Sequence, residues 1–389
     1  MDIFERSLEM HRQLKGKIEV ISRAKIETSE DLSLAYSPGV AEPCRAIEKN
    51  YNESFNLTRR SNLVAVITNG TAVLGLGNIG PAAAMPVMEG KCALFKHFAG
   101  VDAFPICVDS TDVDEMVNTI ALISKSFGGI NLEDIGAPAC FEVERRLKEI
   151  TDIPIFHDDQ HGTAIVTAAA LINALKITDK EKGKLRIVVN GAGAAGIAIA
   201  KLLINMEFGE VIMVDSKGIL VEGDESLNES KAEIASMTNR NHETGGLAEA
   251  MKGADVFVGV SLPGLVTKEM VQSMNDGIIF AMANPIPEIM PEEAKEAGAK
   301  IIGTGRSDYP NQINNVLAFP GIFKGALSVS ATEITEKMKE RAAYAIASMT
   351  PDDAITEENL IVSALDKTVA DVVAKEVAAC AIEEGIARI

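Results

Sequence analysis

Short apolar runs that end in glycine, proline or asparagine recur through the second half of the chain. They stand in the segments LRIVVN, EVIMVD, ADVFVGV, DGIIFAMAN and AKIIGTG. Runs of this length without polar alternation are typical of strands that are buried on both faces of a parallel sheet. A small-residue helical stretch, GIAIAKLLINM, separates the first two runs. The pattern therefore predicts a Rossmann-type α/β unit with its loops at one edge of the sheet.

The first half of the chain contains both helical spacing of apolar residues and short apolar runs typical of strands. Apolar residues have helical spacing within residues 3–25, whereas NLVAVI, VDAFPICVD and IPIF read as buried strands and EVERRLKEI as an amphipathic helix. From Phe323 onward the spacing is helical to the end. We therefore predict an N-terminal α/β domain over residues 1–160, a Rossmann-type domain over residues 161–325, and C-terminal helices over residues 326–389 that pack back on the core.

The composition is that of a globular protein and argues against several classes of binding partner. The 389 residues are 47% hydrophobic and 24% charged, without a transmembrane stretch. The first residues contain no apolar signal core, and the five cysteines form no CxxC pattern, so we expect a cytoplasmic protein with free thiols. A net charge of −19 argues against nucleic acid and anionic membranes as partners. An anionic ligand would need a local positive charge, which a bound metal ion supplies.

Two acidic pairs are the strongest candidates for metal chemistry. Glu133 and Asp134 precede the EVERRLKEI helix, and Asp158 and Asp159 follow the IPIF strand. A helix out and a strand back can bring both pairs to one end, where carboxylates would repel unless a cation lay between them. Oxygen ligands favour Mg²⁺ or Mn²⁺ over zinc. The alternative is that both pairs lie on a solvated face, as acidic pairs often do.

Two further features near the acidic pairs enter the prediction. Gly162 and Thr163 are predicted to begin a long Ala-rich helix directly after the second pair. His157 and His161 are four residues apart, but they straddle a strand end and a loop and not one helix face, which disfavours a zinc pair.

The glycine fingerprint at the start of the second half is the clearest fold signal. A strand, a Gly-rich turn, a small-residue helix and a second strand that ends in Asp215 follow one another. Such a turn lets a pyrophosphate approach backbone N–H groups at a helix N-terminus, and the acid at the end of the second strand, Asp215, would bind the ribose 2′-hydroxyl. The predicted dinucleotide-binding residues are Gly191, Ala192, Gly193, Ala194, Ala195, Gly196 and Asp215. A close-packed turn without a ligand is the alternative.

An earlier GxGxxG match, Gly75 to Gly80, is weaker. Pro86 follows and is expected to interrupt the next helix, so we interpret this match as a tight turn and not as the nucleotide site. Lys91 follows a glycine at the start of an apolar segment. It is either a surface lysine with a buried stem or a desolvated base with a lowered pKa.

Four other polar residues are candidates because they stand at turns or strand ends. Tyr36 precedes a Ser-Pro-Gly turn, where most tyrosines are half-buried packing residues. Asn284, Asn314 and Asn315 stand where cofactor and substrate would meet, although asparagines at strand ends more often form turns.

Seven motifs in order give the chain a resemblance to a known family. They are AYSPGVAEPC, VMEGKCALFKHFAGVDAFPICVD, LEDIGAP, FHDDQHGTA, GAGAAG, MANP and NNVLAFPG, and they span the chain from about residue 10 onward. In this set and order they resemble the malic enzymes, specifically the short bacterial form.

The resemblance implies an NAD(P)-dependent, oxaloacetate-decarboxylating malate dehydrogenase that converts (S)-malate to pyruvate and CO₂ with Mg²⁺ or Mn²⁺. Carried over by motif, it implies the following roles: metal ligation by Glu133, Asp134 and Asp159, base catalysis by Lys91, acid catalysis by Tyr36, malate binding by Asn284 and Asn315, and support of Lys91 or the metal by Asp158. Longer members carry a carboxylate-binding arginine where this chain has Thr71.

Several alternatives stay open at this point. A malolactic-type enzyme and a non-catalytic nucleotide-sensing protein are compatible with the same fold. Asp215 would repel a 2′-phosphate and so favours NAD over NADP, but Lys217 lies close enough in sequence to offset it. The helical ends favour a homodimer.

Overall fold

Two separate sheets organise the chain in the computed structural model, which describes residues 2–73 and 75–388. The first sheet has the order β2-β1-β3-β4, with all neighbours parallel. Its strands are β1 (Leu63–Thr68), β2 (Asp102–Cys107), β3 (Gly129–Leu132) and β4 (Ile155–His157). The carboxyl ends of β3 and β4 therefore lie side by side, and the acidic pairs follow these two strands.

The second sheet has the order β10-β9-β8-β5-β6-β7. Its strands are β5 (Leu185–Asn190), β6 (Gly209–Asp215), β7 (Gly218–Ile219), β8 (Val256–Gly259), β9 (Ile278–Ala281) and β10 (Ile301–Thr304). Only the short β7 pairs antiparallel. The chain order reverses between β5 and β8, which is where open α/β sheets form a ligand crevice. The predicted Rossmann-type parallel sheet is confirmed.

Sixteen helices surround and join the two sheets within the described residues. They are α1 (Ile3–Leu14), α2 (Ser29–Ala35), α3 (Ala41–Lys49), α4 (Glu53–Leu57), α5 (Pro81–Leu94), α6 (Val113–Ile123), α7 (Ala139–Ile150), α8 (Asp158–Lys176), α9 (Ala194–Asn205), α10 (Glu229–Met237), α11 (Leu247–Met251), α12 (Lys268–Gln272), α13 (Pro291–Glu296), α14 (Phe319–Ser328), α15 (Glu336–Ser348) and α16 (Val369–Glu383). No described helix combines the length and the apolar composition that crossing a bilayer requires.

One continuous core connects the two sheets. It includes Val64 and Phe156 from the first sheet and Val189 from the second, together with most of α8 and the C-terminal helices. Phe323 of α14 packs edge-on against Phe156, with ring centres 5.8 Å apart. The C-terminal helices thus fill the space between the sheets and fix the active-site elements relative to each other.

Three local predictions were wrong. The helix predicted over residues 3–25 ends at Leu14, because Lys15 and Gly16 adopt positive φ angles of 54° and 122°. Pro86 does not interrupt α5, which buries Ala84 and Met88 on either side of it and continues to Leu94. That burial outweighs the single hydrogen bond that a proline removes from a helix.

The third error concerns the helix after β4. It begins at Asp158 and not near Gly162, so the second acidic pair occupies its first turn and His161 lies on the helix. Carboxylates in the first turn interact favourably with the free N–H groups and the positive end of the helix dipole. The Ala-rich pattern begins later and therefore placed the start too far along the chain.

The N-terminal helices are bound loosely to the rest of the chain. None of the residues of α1, α2 and α3 is buried. Phe4 of α1 is 80% exposed, and Val20, between α1 and α2, is 83% exposed. An apolar stripe at helical spacing normally packs on a core. Within the described chain this stripe has no core to cover.

Candidate active site

Helices α5 and α8 and the end of strand β3 bring five ionisable side chains together. Lys91 projects from the last turn of α5, Glu133 and Asp134 follow β3, and Asp158 and Asp159 form the first turn of α8. Because β3 and β4 are parallel neighbours, their carboxyl ends deliver both acidic pairs to one place. Lys91 therefore lies within a helix and not at an element start, as its position after a glycine had suggested.

Lys91 is almost completely buried, at 7% exposure. Its Nζ lies 2.6 Å from Oδ2 of Asp158 and 2.8 Å from Oε1 of Glu133, and 4.3 Å from the ring centre of Phe319. Burial by itself would lower the pKa of Lys91, but the two carboxylates outweigh burial and raise the pKa above its ordinary value. The lowered pKa expected for a base beside a cation stays a prediction.

Glu133, Asp134 and Asp159 form a set of oxygen donors. One carboxylate oxygen from each lies within 4.8 Å of the others. Asn131 Nδ2 donates to Glu133 at 2.8 Å, and the backbone N–H of Asp134 donates to Asp159 at 2.8 Å, so the set is held in place.

The charge of this donor set is only partly balanced. Burial raises the pKa of Glu133 and Asp159, the latter to about 6, although Lys91 lowers both. Burial also raises the pKa of Asp158 to about 7, again against the effect of Lys91. Glu133, Asp158 and Asp159 share the charge of one lysine. Hard oxygen donors with excess negative charge fit a divalent cation such as Mg²⁺ or Mn²⁺.

The two histidines of the same segment have other surroundings. His161 Nε2 contacts both carboxylate oxygens of Glu144, at 2.8 and 3.0 Å, and its Nδ1 lies 3.1 Å from Nζ of Lys339. His157 is fully buried at the end of β4, and its Nδ1 is 3.8 Å from Asp159. His161 is thus engaged between α7 and α15, and it lies on α8 and not in the loop on which the sequence argument against a zinc pair relied.

The asparagine candidates differ in what they contact. Asn315 Nδ2 donates to Oδ2 of Asp158 at 2.6 Å, which joins it to Lys91. Asn314 instead uses its side chain to cap the following turn, accepting from Val316 N at 2.9 Å. Asn284 follows β9 and lies beside Gly305 and the Gly75 turn. The structure therefore places Asn315 in the Lys91 cluster and Asn284 between the two halves of the cleft.

Thr71 lies in the same loop but its hydroxyl is already used. It donates to Asn69 Oδ1 at 2.7 Å and accepts from Gly136 N at 2.9 Å. A hydroxyl has one proton to donate, so Thr71 has none left for a substrate carboxylate.

The glycine fingerprint forms the turn from β5 into α9. Gly191 has φ 117°, and a Cβ there would lie 2.6 Å from Val260 O, so both the backbone conformation and the space require glycine. Ala194 and Ala195 begin α9 directly after Gly193, and Gly196 packs against the backbone of Gly191. Backbone N–H groups at this helix start face the crevice between β5 and β8.

Asp215 ends β6, as predicted, and the structure adds a partner that sequence reasoning missed. Its Oδ1 accepts from Lys217 N at 2.8 Å, and its Oδ2 accepts from Lys231 Nζ at 2.5 Å. Lys231 belongs to α10, 16 residues further along. A helix that follows a strand in this fold packs near the strand end, but no sequence pattern singles out which of its lysines reaches back.

Tyr36 stands apart from this cluster. Its side chain is 70% exposed, and it caps the C-terminus of α2 through its backbone. Within residues 2–73 and 75–388 its hydroxyl makes no hydrogen bond to another group.

Comparisons with known proteins agree with this geometry. Residues 15–148 match the family "Malic enzyme, N-terminal domain", and residues 160–382 match "Malic enzyme, NAD binding domain". The bifunctional malic/malolactic enzyme of Bacillus subtilis (strain 168) is 57% identical over 391 residues, covering 100% of this chain and 95% of that protein. The NAD-dependent malic enzyme of Geobacillus stearothermophilus is 51% identical over 389 residues, covering 100% and 81%.

A solved structure has the same fold throughout. The crystal structure of malic enzyme from Pyrococcus horikoshii Ot3 has a TM-score of 0.95 and 46% identity, and the match covers 100% of this chain and 92% of that one. The resemblance and the α/β fold class predicted from the sequence are both confirmed. The chain belongs to the malic enzyme family.

Proposed function

We propose that the chain catalyses the oxidative decarboxylation of (S)-malate to pyruvate and CO₂, with reduction of NAD⁺ or NADP⁺. The observation that carries the proposal is the buried Lys91 between Glu133 and Asp158, next to a set of three oxygen donors. This cluster lies at the carboxyl edge of the first sheet, and the backbone of Asn284, from the nucleotide-binding half, lies beside the Gly75 turn of the first half.

Glu133, Asp134 and Asp159 are the proposed ligands of a Mg²⁺ or Mn²⁺ ion. When bound, the cation would favour negative charge on the substrate's C2 oxygen and lower the pKa of the nearby Lys91 amine, and the nicotinamide would accept hydride from C2. The donor set supports this assignment because its three carboxylates converge, and because burial raises the pKa of Glu133 and Asp159 despite Lys91.

Lys91 is the proposed general base that takes the proton of the malate C2 hydroxyl. A base must be neutral to accept a proton, and it must be held in one direction. Asp158 holds the Lys91 amine at 2.6 Å and is itself held by Asn315. Asn284 and Asn315 are the proposed malate-binding amides, and Asn314 supports them by capping the turn that carries Asn315.

Tyr36 is the proposed acid that protonates C3 of the pyruvate enol, and we propose that a second copy of the chain supplies it. The side chain of Tyr36 is exposed, and the helices before and after it bury none of their residues. Contiguous exposed apolar surface of this kind marks an interaction site.

A groove in the chain supports a homodimer as the arrangement. It has a volume of about 1230 Å³ and runs between residues 17–23 and β2, and Cys92 and Ala93 of α5 line it. The groove lies at the amino ends of β1 and β2, where Leu63 and Asp102 line it. The proposed homodimer seats an N-terminal segment of the partner subunit in this groove, in an isologous interface.

One relative supports a second activity. The Bacillus subtilis protein is named a bifunctional malic/malolactic enzyme and is 57% identical to this chain. A malolactic reaction yields lactate without net cofactor reduction. Analysis of the products from malate, Mn²⁺ and NAD⁺ for pyruvate, lactate and NADH separates the two activities, and absence of any turnover would favour a non-catalytic nucleotide-sensing protein.

The surroundings of Asp215 decide the expected preference between NAD and NADP. Asp215 by charge favours NAD, whose 2′-hydroxyl it can bind. Its carboxylate is paired with Lys231, which would become available to a 2′-phosphate. We therefore expect the chain to use both cofactors, with NAD preferred.

We predict that Asp159→Asn weakens Mn²⁺ binding at least about tenfold, because it removes one anionic donor from the set. Titration of Mn²⁺ followed by electron paramagnetic resonance measures this directly. Asp179→Asn, an exposed acid beyond α8, is the matched control and should leave the affinity unchanged. Equal affinities for the two variants would place the cation elsewhere.

For Lys91 we predict that Lys91→Arg lowers kcat by about 10² to 10⁴, since the guanidinium keeps the charge but cannot act as a base at neutral pH. NADH binding, measured by nicotinamide fluorescence, should stay within about twofold. Lys96→Arg, on the exposed side of the next turn, is the control and should turn over normally. Wild-type turnover by Lys91→Arg would reject the base assignment.

Subunit sharing can be tested by complementation. Tyr36→Phe and Lys91→Arg homodimers should each be inactive, but random exchange of their subunits should restore about one quarter of wild-type activity, because half of the dimers then contain one intact site. Native mass spectrometry counts the mixed dimers. Mixed dimers that form but stay inactive would show that both residues act within one subunit.

Lys231→Met should weaken NADPH binding at least about tenfold, which corresponds to the loss of one charged contact, and leave NADH binding within about twofold. Lys201→Met is the control, because Lys201 of α9 pairs with Glu233 of α10 and not with Asp215. A parallel loss of NADH and NADPH affinity would contradict the proposed role.

A further inference from the structure

A chain of hydrogen bonds connects the nucleotide turn to the loop that carries Asn284. Asn190, the residue before Gly191, donates from Nδ2 to Ser261 Oγ at 2.8 Å. The N–H of Ser261 donates to Oε1 of Glu288 at 2.9 Å, and the N–H of Ala283 donates to Oε2 of the same carboxylate at 3.1 Å. Ala283 directly precedes Asn284, so one carboxylate links both ligand-binding loops.

Glu288 has no exposed surface, and its surroundings leave it little freedom. It lies against Gly259, where any Cβ would overlap its carboxyl group. The two loops also pair through their backbones: Gly264 N donates to Pro287 O at 3.1 Å, and Val266 N donates to Glu288 O at 3.0 Å. The loops after β8 and β9 therefore behave as one unit fastened at Glu288.

We propose that Glu288 is a positioning residue that sets the direction of Asn284 toward malate and couples it to the nucleotide turn. This proposal rests on the proposed malate-binding role of Asn284. A carboxylate with one N–H on each oxygen fixes the backbone of both loops at once, and a displacement of about 1 Å in a substrate-holding group can cost about 10²-fold in rate.

The chemistry of the side chain explains why an acid is required. An ionised carboxylate is an acceptor on both oxygens, whereas a glutamine has one acceptor oxygen and an NH₂ group that would face a backbone N–H. Glu288→Gln keeps the volume of the side chain and breaks one of the two hydrogen bonds. The loop that carries Asn284 is then no longer held from both sides.

Glu288→Gln should raise the KM for malate about tenfold and lower kcat, while the NADH dissociation constant from nicotinamide fluorescence stays within about twofold. Glu293→Gln, an exposed acid on α13, is the matched control and should change neither value. A role in stability alone would lower the melting temperature and the active fraction but leave the KM for malate unchanged, and that result would overturn the proposal.

A double-mutant cycle separates this inference from the proposed function. If Glu288 acts through Asn284, then Glu288→Gln adds no further increase in the malate KM when it is combined with Asn284→Ala. Independent, multiplicative effects would overturn the positioning role. An Asn284→Ala variant with an unchanged malate KM would instead count against the proposed malate site.

A second variant covers the case in which Glu288→Gln does not fold. Ser261→Ala removes the hydroxyl link to Asn190 and the long hydroxyl contact to Glu288 at 3.5 Å, and it keeps both backbone hydrogen bonds to Glu288. It should raise the malate KM about threefold in the wild-type background and not at all beside Asn284→Ala. An unchanged malate KM in Ser261→Ala would break the proposed coupling to the nucleotide turn.

Discussion

The ion pair of the Lys91 amine with Asp158 and Glu133 is the interaction on which the rest of the site depends. Transferring an ion out of water costs on the order of several kcal/mol, so buried charges persist only where partners surround them. Here one amine touches two carboxylates at 2.6 and 2.8 Å. Asn131 and Asn315 donate to the same two carboxylates, and the N–H of Asp134 donates to Asp159. The fold thus supplies neutral donors where further positive side chains would have cancelled the affinity for a cation.

This arrangement of carboxylates, one lysine and neutral amide donors explains how a strongly acidic chain can bind a dianionic substrate. The protein carries a net charge of −19, and the donor set is under-neutralised by its own residues. The hydroxyl of Thr71, where longer family members have an arginine, is committed to Asn69 and Gly136. In the proposed site, positive charge for malate comes from a cation in the donor set, and Asn284 is a proposed malate-binding amide.

Sequence reasoning located the residues of the site but not their pairing. The acidic pairs were predicted to meet because a strand and a helix of readable pattern separate them. Lys91 was identified only as a candidate, because its main partner Asp158 is 67 residues away and nothing local encodes the contact. The two carboxylates that raise the pKa of Lys91 were not predicted for the same reason, since burial can be guessed from apolar neighbours but a buried pair of carboxylates cannot.

Errors in helix limits have a similar origin in tertiary contacts. Pro86 is tolerated in α5 because residues on both sides of it are buried, and the start of α8 is set by acidic residues that a periodicity argument reads as loop. Lys231 and Glu288 were not predicted because Lys231 reaches from α10 to the end of β6 and Glu288 joins two loops, and only the folded chain shows these contacts.

The N-terminal helices α1 to α3 bury none of their residues, whereas hydrogen bonds hold the groups at the centre of the proposed active site. The loops after β8 and β9 are linked to the nucleotide turn through Glu288, and Lys91 and Asn315 hold the acidic cluster. Every proposed active-site group except one is therefore held by its own chain. The exception is Tyr36, which belongs to helices without a buried residue. A group that protonates carbon is needed only after CO₂ has left. If a second subunit supplies it, assembly of the dimer and completion of the site become the same event, and the apolar stripe of α1 stabilises the catalytic arrangement as well as the interface.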